Sequence, residues 1–321
     1  RSVLRVLPAL RADPAAPRVA ALVGAGIIPD AFLRAPALLA EIPPSPTPAV
    51  PDGAALIVAG GTDLYVQRPL AVEDGPVVVL HAAEAPPIRR DGNRIVIEGF
   101  ATAEDLKRSP LLATAIGGID RAMALMGSWP IRSRATVAGN LVNASPIGDM
   151  TIILLALGAE LHLRGPEGVR SLPLDAFYLG YKRLDLRPGE LVDSLHVPSG
   201  RGDARFNFEK VSKRTHLDIA SVNTAISLRL EGGRIAGAVL AAGGVAPIPR
   251  RLPRTEAALT GRTPDAATAR AAAAAARGEV APISDVRGSA DYKRLLLGQL
   301  VLAHFNLLFG LEDGLVAEAG A

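Results

Sequence analysis

Two short segments of the chain combine glycine with small polar side chains, a composition that suits backbone lying close to a polar ligand. The first runs from an apolar strand into a turn and comprises Ile57, Val58, Ala59, Gly60, Gly61, Thr62 and Asp63. Glycines at such a junction can adopt positive φ, so consecutive amides can point at one anion. The turn predicts a diphosphate site, although a tight strand-to-helix turn without a ligand explains it equally well. For Asp63, capping of the following helix is the more natural role.

The second segment offers hydroxyls, amides, bare backbone and one carboxylate in close succession. Its candidate ligand-binding residues are Thr136, Val137, Ala138, Gly139, Asn140, Ser145 and Asp149. Such a set can bind ribose or ribityl hydroxyls together with phosphate, because those ligands need several donors and acceptors within a short distance. The small and polar residues are spaced too closely for a packed core element. The alternative interpretation is a long structured loop without a ligand.

Neither segment matches the common nucleotide-binding motifs. The dinucleotide fingerprint needs a third glycine for helix packing, and the phosphate-binding loop of nucleoside triphosphatases (the Walker motif) needs a lysine after its glycines. Residues 60–63 provide neither. An earlier Gly24-Ala25-Gly26 run ends at Pro29 instead of a third glycine, and it predicts a helix break.

Composition excludes several classes of function. The 35 basic and 32 acidic residues give a net charge of +3, and with only 4% aromatic residues no nucleic-acid surface is expected. The absence of cysteine excludes disulfides, thiol catalysis and an iron-sulfur cluster held by this chain. The five histidines stand far apart in sequence, so no metal site is predicted.

The sequence pattern predicts neither a targeting segment nor a membrane span. The N-terminus lacks the features of a secretory signal, which predicts a cytoplasmic protein. The apolar run 295–311 is interrupted by Gln299, His304 and Asn306, so it predicts a buried terminal helix instead of a membrane span.

Hydrophobic periodicity predicts an organisation in three parts, with domain bounds 1–50, 51–204 and 205–321. The first contains two short helices broken near Gly26 and Pro29, followed by an extended proline-rich linker at 43–51. The second alternates strands with helices. Its expected strands are 56–59, 77–80, 94–97, 159–163 and 190–197, with helices after Thr62 and at 102–112, 118–126 and 152–157. After a boundary at 198–203, an antiparallel meander is expected at 206–212, 220–230 and 234–242, with helices at 265–277 and 290–309.

Several motifs, in consistent order, resemble the FAD-binding subunit or domain of the molybdenum hydroxylases, the xanthine dehydrogenase family. Besides the two segments above, they are FEKVSKR at 208–214, DIA at 218–220, AAGGVAP at 241–247 and SDVRGSADY at 284–292. The resemblance runs from about Ala54 to the C-terminus. Residues 1–50 resemble the helical connector that follows the iron-sulfur domain in fused family members.

The resemblance implies an α+β fold, with a two-lobed FAD-binding domain of the PCMH type and a C-terminal domain of a small antiparallel sheet and helices. It places the FAD diphosphate on residues 59–63 and 136–140, with Ser145 and Asp149 near the ribose and ribityl chain. Val192 falls where the family contacts the flavin ring. Lys210 stands at the position of a lysine near the flavin, where a cation would stabilise the reduced ring; a solvated strand lysine is the alternative. Ala138 stands where the family commonly has a glycine. An alanine fits there without strain only if the backbone φ is negative.

The resemblance also implies a function without a catalytic side chain in this chain. Electrons leave the substrate at a molybdenum cofactor on a large subunit, cross [2Fe-2S] clusters on a partner chain or domain, reduce FAD and pass to an acceptor such as NAD or a quinone. Arg214 and Asp218 would lie near the approach of that acceptor. Two alternatives stay open: a non-redox scaffold or nucleotide-binding module, and a stand-alone flavin oxidoreductase.

Overall fold

The computed structural model describes residues 17–41, 56–80, 86–199 and 203–311. The chain divides into two compact units, Arg1–Pro46 and Thr47–Ala321. The predicted linker at 43–51 and residues 200–202 of the predicted boundary lie outside the described residues. The domain bounds 1–50, 51–204 and 205–321 stay a prediction.

The first unit contains short helices, as predicted. They are α1 (Arg18–Gly24), a 3-10 turn (Asp30–Leu33) and α2 (Ala35–Ala40). Helix α1 ends at Gly24, and Gly26 adopts a φ of +66°. The glycine pair is therefore a helix break and not a nucleotide-binding turn.

In the first part of the second unit, the described residues form nine strands. They are β1 (Leu56–Val58), β2 (Val77–Val79), β3 (Ile88–Asp91), β4 (Arg94–Glu98), β5 (Glu160–Gly165), β6 (Gly168–Pro173), β7 (Tyr178–Gly180), β8 (Arg183–Leu184) and β9 (Leu191–Pro198). Strands β1 and β2 pair in parallel. An antiparallel sheet of five strands has the order β3-β4-β9-β5-β6, and β7 pairs with β8. These strands therefore form three separate sheets.

Helices alternate with these strands. They are α3 (Leu64–Gln67), α4 (Pro69–Asp74), α5 (Ala103–Arg108), α6 (Pro110–Ala115), α7 (Ile119–Ala124), α8 (Trp129–Arg132), α9 (Val137–Asn143) and α10 (Asp149–Ala156), with a 3-10 turn at Leu174–Ala176. The helix predicted at 102–112 is divided, because Pro110 cannot donate a backbone hydrogen bond and favours extended backbone at Ser109, whose ψ is 113°. Helix α10 is buried at every residue from Met150 to Ala156, which places it in the core.

The C-terminal part is the predicted antiparallel meander followed by helices. Its elements are β10 (Asp203–Val211), β11 (Val222–Glu231), β12 (Arg234–Gly243), β13 (Arg250–Arg251), α11 (Pro253–Leu259), α12 (Ala266–Glu279) and α13 (Ala290–Phe309). Side chains alternate across this sheet. Phe208, Ala225 and Ala241 join the core around α10. Ile226 and Leu240 join a second core under the helices, so the sheet packs on both faces.

Helix α13 lies in that second core, as predicted, and carries the fully buried His304. Its Nδ1 accepts a hydrogen bond from the amide of Asn207 at 2.9 Å. Because that amide can only donate, the ring proton resides on Nε2 and faces the Thr224 hydroxyl at 2.8 Å. Among the described residues, no helix is long and apolar enough to span a bilayer.

Candidate functional site

The two glycine-containing segments meet in the structure. Gly60 follows β1 and lies against the backbone that precedes α9. A Cβ atom at Gly60 would stand 1.8 Å from the carbonyl oxygen of Arg134 and 3.2 Å from the amide nitrogen of Thr136. No larger residue fits there unless one of the two backbones moves.

The turn itself presents free amides. Gly61 adopts a φ of +76°, as the glycine pattern predicts. Across the described ranges, the backbone amides of Gly60, Gly61 and Thr62 donate no hydrogen bond to the protein. Successive amides without a protein acceptor are the arrangement that binds an anionic group.

Asp63 does not perform the capping role that the sequence suggests. It occupies the N-cap position of α3, but its side chain accepts no capping hydrogen bond. Its backbone is already in the helical region, with φ −89° and ψ −36°. Capping side chains act from extended backbone, so this conformation prevents the bond.

Residues 137–143 of the second segment form helix α9, which corrects the expectation that they are unsuited to a packed element. Val137 and Leu141 are fully buried and stand one helical turn apart, so α9 has an apolar face despite its small residues. Thr136 caps the helix by accepting a hydrogen bond from the Gly139 amide at 3.1 Å. Gly139 stays exposed and Asn140 half-buried on the other side.

The first amides of α9 are already used within the protein. Val137 donates to the carbonyl of Ala101, and Ala138 donates to the carbonyl of Gly99, both at 2.8 Å. The free amides of the site therefore come from the turn after β1, and α9 supplies the wall behind that turn. Ala138 lies within the helix, where φ is negative, so its replacement of a glycine introduces no strain.

A cleft of about 270 Å³ opens where the segments meet. Ala59 and Gly60 line it from the turn, and Thr136 and Ala138 line it from α9. The remaining lining residues are Val79, Leu80, Gly99, Phe100, Thr102, Ser133 and Arg134. Most of these are small or aliphatic, so the cleft is not filled by bulky side chains.

Of the other residues predicted to bind the cofactor, Ile57 and Val58 form β1, with Val58 buried. Val192 is a buried core residue of β9. Its carbonyl oxygen lies 2.3 Å from the place of a Cβ on Gly99, so its backbone adjoins a residue that lines the cleft.

Asn140 lies within α9, and Ser145 lies in the turn between α9 and α10. The Oδ1 atom of Asn140 accepts a hydrogen bond from the Thr151 hydroxyl at 3.1 Å. The Ser145 hydroxyl accepts from the Ile147 amide at 3.4 Å. The Thr151 hydroxyl also lies 3.5 Å from the Tyr178 hydroxyl, so the turn is joined to the core by polar contacts.

Lys210 and Asp149 form an ion pair with an Nζ–Oδ2 distance of 2.7 Å. Their side chains are only 4% and 10% exposed, which rules out the solvated strand lysine. Burial raises the pKa of Asp149 above its usual range, while Lys210 and the amide of Asn223 oppose that shift. Lys210 also donates to the Leu125 carbonyl at 3.2 Å, so its charge is compensated within the protein.

Sequence reasoning missed Asn223 and one contact between histidines. Asn223 is fully buried on β11 and donates to Asp149. The pairing of β5 with β9 stacks His162 on His196 with ring centroids 3.8 Å apart. In the part of the chain that the structure describes, no group of three or more His, Cys, Asp or Glu residues could hold a metal ion.

The free amides, the close wall and the α+β scaffold are the features expected of a protein that binds a dinucleotide. Residues 37–200 match the FAD binding domain in molybdopterin dehydrogenase, and residues 208–307 match the CO dehydrogenase flavoprotein C-terminal domain. The chain belongs to this family of FAD-binding subunits and is a FAD-containing oxidoreductase subunit, which confirms the resemblance seen in the sequence.

Two relatives illustrate the sequence similarity. The carbon monoxide dehydrogenase medium chain of Hydrogenophaga pseudoflava is 29% identical over 254 residues, covering 78% of this chain and 88% of that protein. The glyceraldehyde dehydrogenase medium chain of Sulfolobus acidocaldarius is 27% identical over 251 residues, covering 78% of this chain and 89% of the relative.

Solved structures confirm the fold. The carbon monoxide dehydrogenase of Hydrogenophaga pseudoflava matches with a TM-score of 0.74 and 30% identity, over 79% of this chain and 90% of the other. Quinoline 2-oxidoreductase from Pseudomonas putida matches with a TM-score of 0.70 and 27% identity, over 81% and 90%.

Proposed function

We propose that this chain is the electron-transfer subunit of a molybdenum-dependent hydroxylase or dehydrogenase. FAD on this chain would receive electrons from [2Fe-2S] clusters on a partner and pass them to an acceptor such as NAD or a quinone. A large subunit would hold the molybdenum cofactor and the substrate. The family match supports the class of cofactor, and relatives named for carbon monoxide and quinoline oxidation support the class of reaction.

The observation that carries the proposal is the contact between Gly60 and the backbone of Arg134–Thr136. It holds the turn against the backbone that precedes α9, beside amides that have no protein acceptor within the described ranges. We assign the FAD diphosphate to the amides of Gly60, Gly61 and Thr62. Ala59 and Asp63 flank this turn.

The remaining residues would orient the cofactor. In the proposal Thr136, Ala138 and Gly139 form the wall facing the nucleotide, and Asn140, Ser145 and Asp149 serve its sugar and ribityl hydroxyls. Val192 would adjoin the ring, and Lys210 would supply positive potential beside it. Bound FAD supplies the redox chemistry itself, while the protein supplies position and electrostatics. No side chain of this chain has to act as a nucleophile.

The first test is the cofactor content of the purified full chain. We expect a yellow protein whose denatured supernatant contains FAD in a ratio near one per chain. A colourless protein that takes up no added FAD would favour the scaffold alternative. Turnover of a substrate by this chain without other subunits would favour the stand-alone flavin oxidoreductase.

The second test concerns partners. Affinity purification of the chain from its native host should recover molybdenum and iron in subunits other than this one. Reduction of the flavin by substrate should then require those subunits, and reoxidation by NAD or by a quinone identifies the acceptor. A cytoplasmic location stays a prediction that fractionation of the host cells can check.

A further inference from the structure

Lys210, Asn223 and Gly243 occupy matching positions on three neighbouring strands. Lys210 pairs with Asn223 between β10 and β11, and Asn223 pairs with Gly243 between β11 and β12. By strand alternation all three share the sheet face of Phe208, which packs on the core around α10. Two polar side chains, Lys210 and Asn223, thus lie side by side on a buried face of the sheet.

Asn223 connects this face of the sheet to the start of α10. Its Nδ2 donates to Oδ1 of Asp149 at 2.6 Å and to the carbonyl of Ile147 at 3.2 Å. The other carboxylate oxygen of Asp149 accepts from Lys210 at 2.7 Å. The carboxylate is therefore held from both sides, with the amide on one oxygen and the ammonium on the other.

The backbone around Asn223 is closely fitted. A Cβ atom on Gly243 would lie 2.2 Å from Oδ1 of Asn223 and 3.0 Å from the carbonyl oxygen of Pro146. The amide of Gly244 donates to that same carbonyl at 3.0 Å. The loop before α10 therefore lies directly on the sheet.

The Oδ1 atom of Asn223 is buried and has no hydrogen-bond partner within the described residues. An unpaired buried acceptor destabilises a folded protein, so packing alone does not explain an asparagine at this position. Its two donated hydrogen bonds are what the residue contributes. One of them is the charge-assisted bond to Asp149, which belongs to the stronger class.

We infer that Asn223 is a positioning residue that orients Asp149 and, through it, the ammonium group of Lys210. Without the amide, the Asp149 carboxylate can rotate, and the long lysine side chain loses its fixed partner. The geometric part of this inference concerns the protein alone. Its relevance to electron transfer rests on the proposed function, in which Lys210 faces the flavin.

The test is the rate at which acetic anhydride acetylates Lys210 in the full chain, followed by peptide mass spectrometry. We expect Asn223→Leu to raise that rate about tenfold, because it removes the charge-assisted hydrogen bond that fixes the carboxylate partner of Lys210. Asn207→Leu is the matched control. Asn207 is also buried in this sheet, but it bonds His304 and Glu209 on the opposite face.

An equal rise in the acetylation rate of both variants would overturn the inference, because it would mean that either substitution loosens the sheet in general. No rise in Asn223→Leu would also overturn it, because Lys210 would then be held in place without Asn223. If Asn223→Leu does not fold, Asn223→Ser provides the same comparison with a smaller side chain. FAD uptake is measured separately on the wild-type chain. A chain that binds no FAD but shows the labelling difference would refute the proposed function and leave the positioning role intact.

Discussion

Arg132 and Glu104 form a buried ion pair behind the cleft, with Nε and Oε2 2.8 Å apart and both side chains 9% exposed. The same guanidinium donates to the carbonyl of Gly127 at 2.8 Å. Arg132 ends helix α8 two residues before Arg134, whose carbonyl lies against Gly60. This pair therefore fixes the backbone against which the glycine turn rests.

Removal of the Glu104 charge should destabilise the protein strongly. Glu104→Gln leaves Arg132 buried with an uncompensated charge, which typically costs about 3–5 kcal/mol. Urea denaturation followed by circular dichroism measures the loss. The control is Glu231→Gln, because Glu231 pairs with Arg229 at 2.7 Å on the surface, where such pairs contribute about 0–1 kcal/mol. Equal losses in both variants would contradict the structural role of the buried pair.

Gly60→Ala should abolish stable FAD binding. The new methyl group would meet the Arg134 carbonyl at 1.8 Å, so the turn must leave its place against α9. Gly117→Ala is the matched control, since a Cβ there meets no atom within 4 Å. Titration of the FAD-free variants with FAD, monitored by flavin fluorescence, compares the affinities. Wild-type affinity in Gly60→Ala would exclude the assigned diphosphate site.

Lys210→Gln should destabilise the protein because Asp149 then loses its buried cation. The expected cost is about 3 kcal/mol, typical of one partner removed from a buried pair. The double variant Asp149→Asn/Lys210→Gln should recover part of that loss, since no buried charge remains. A double-mutant cycle in urea gives the coupling energy. Strictly additive losses would show that the two residues do not act as a pair.

His304 should make stability depend on pH. Burial lowers its pKa to about 3 in the folded protein. Because this lies below the unfolded value of about 6.5, the neutral ring contributes stability that is present above pH ~6.5 and is lost as the pH falls toward 3. Between pH 7 and pH 5 the expected loss is about 2 kcal/mol.

Urea unfolding of His304→Gln at both pH values checks this expectation. The difference between the two free energies should shrink in this variant and stay at the wild-type value in His216→Gln, whose histidine is exposed. An unchanged difference in His304→Gln would mean that another group carries the pH dependence.

Much of the fold follows from local pattern alone. The alternating apolar residues of β10, β11 and β12 predict a meander because period-two burial does not depend on distant neighbours. The division of the 102–112 helix was not predicted, although Pro110 is a visible signal for it. The short strands β3, β6, β7, β8 and β13 were also missed, since two to six residues carry little periodicity.

The sequence by itself determined the family and the burial of α13, and its glycine pattern predicted the positive φ of Gly61. The residues that would contact the cofactor stay a prediction. Tertiary structure decided which amides are free, because the first amides of α9 find acceptors on Ala101 and Gly99 across the fold. It also paired Lys210 with Asp149 and placed the Asn223 amide against the same carboxylate. Such pairings depend on register and packing between segments far apart in the chain, and local residue types carry no information about those distances.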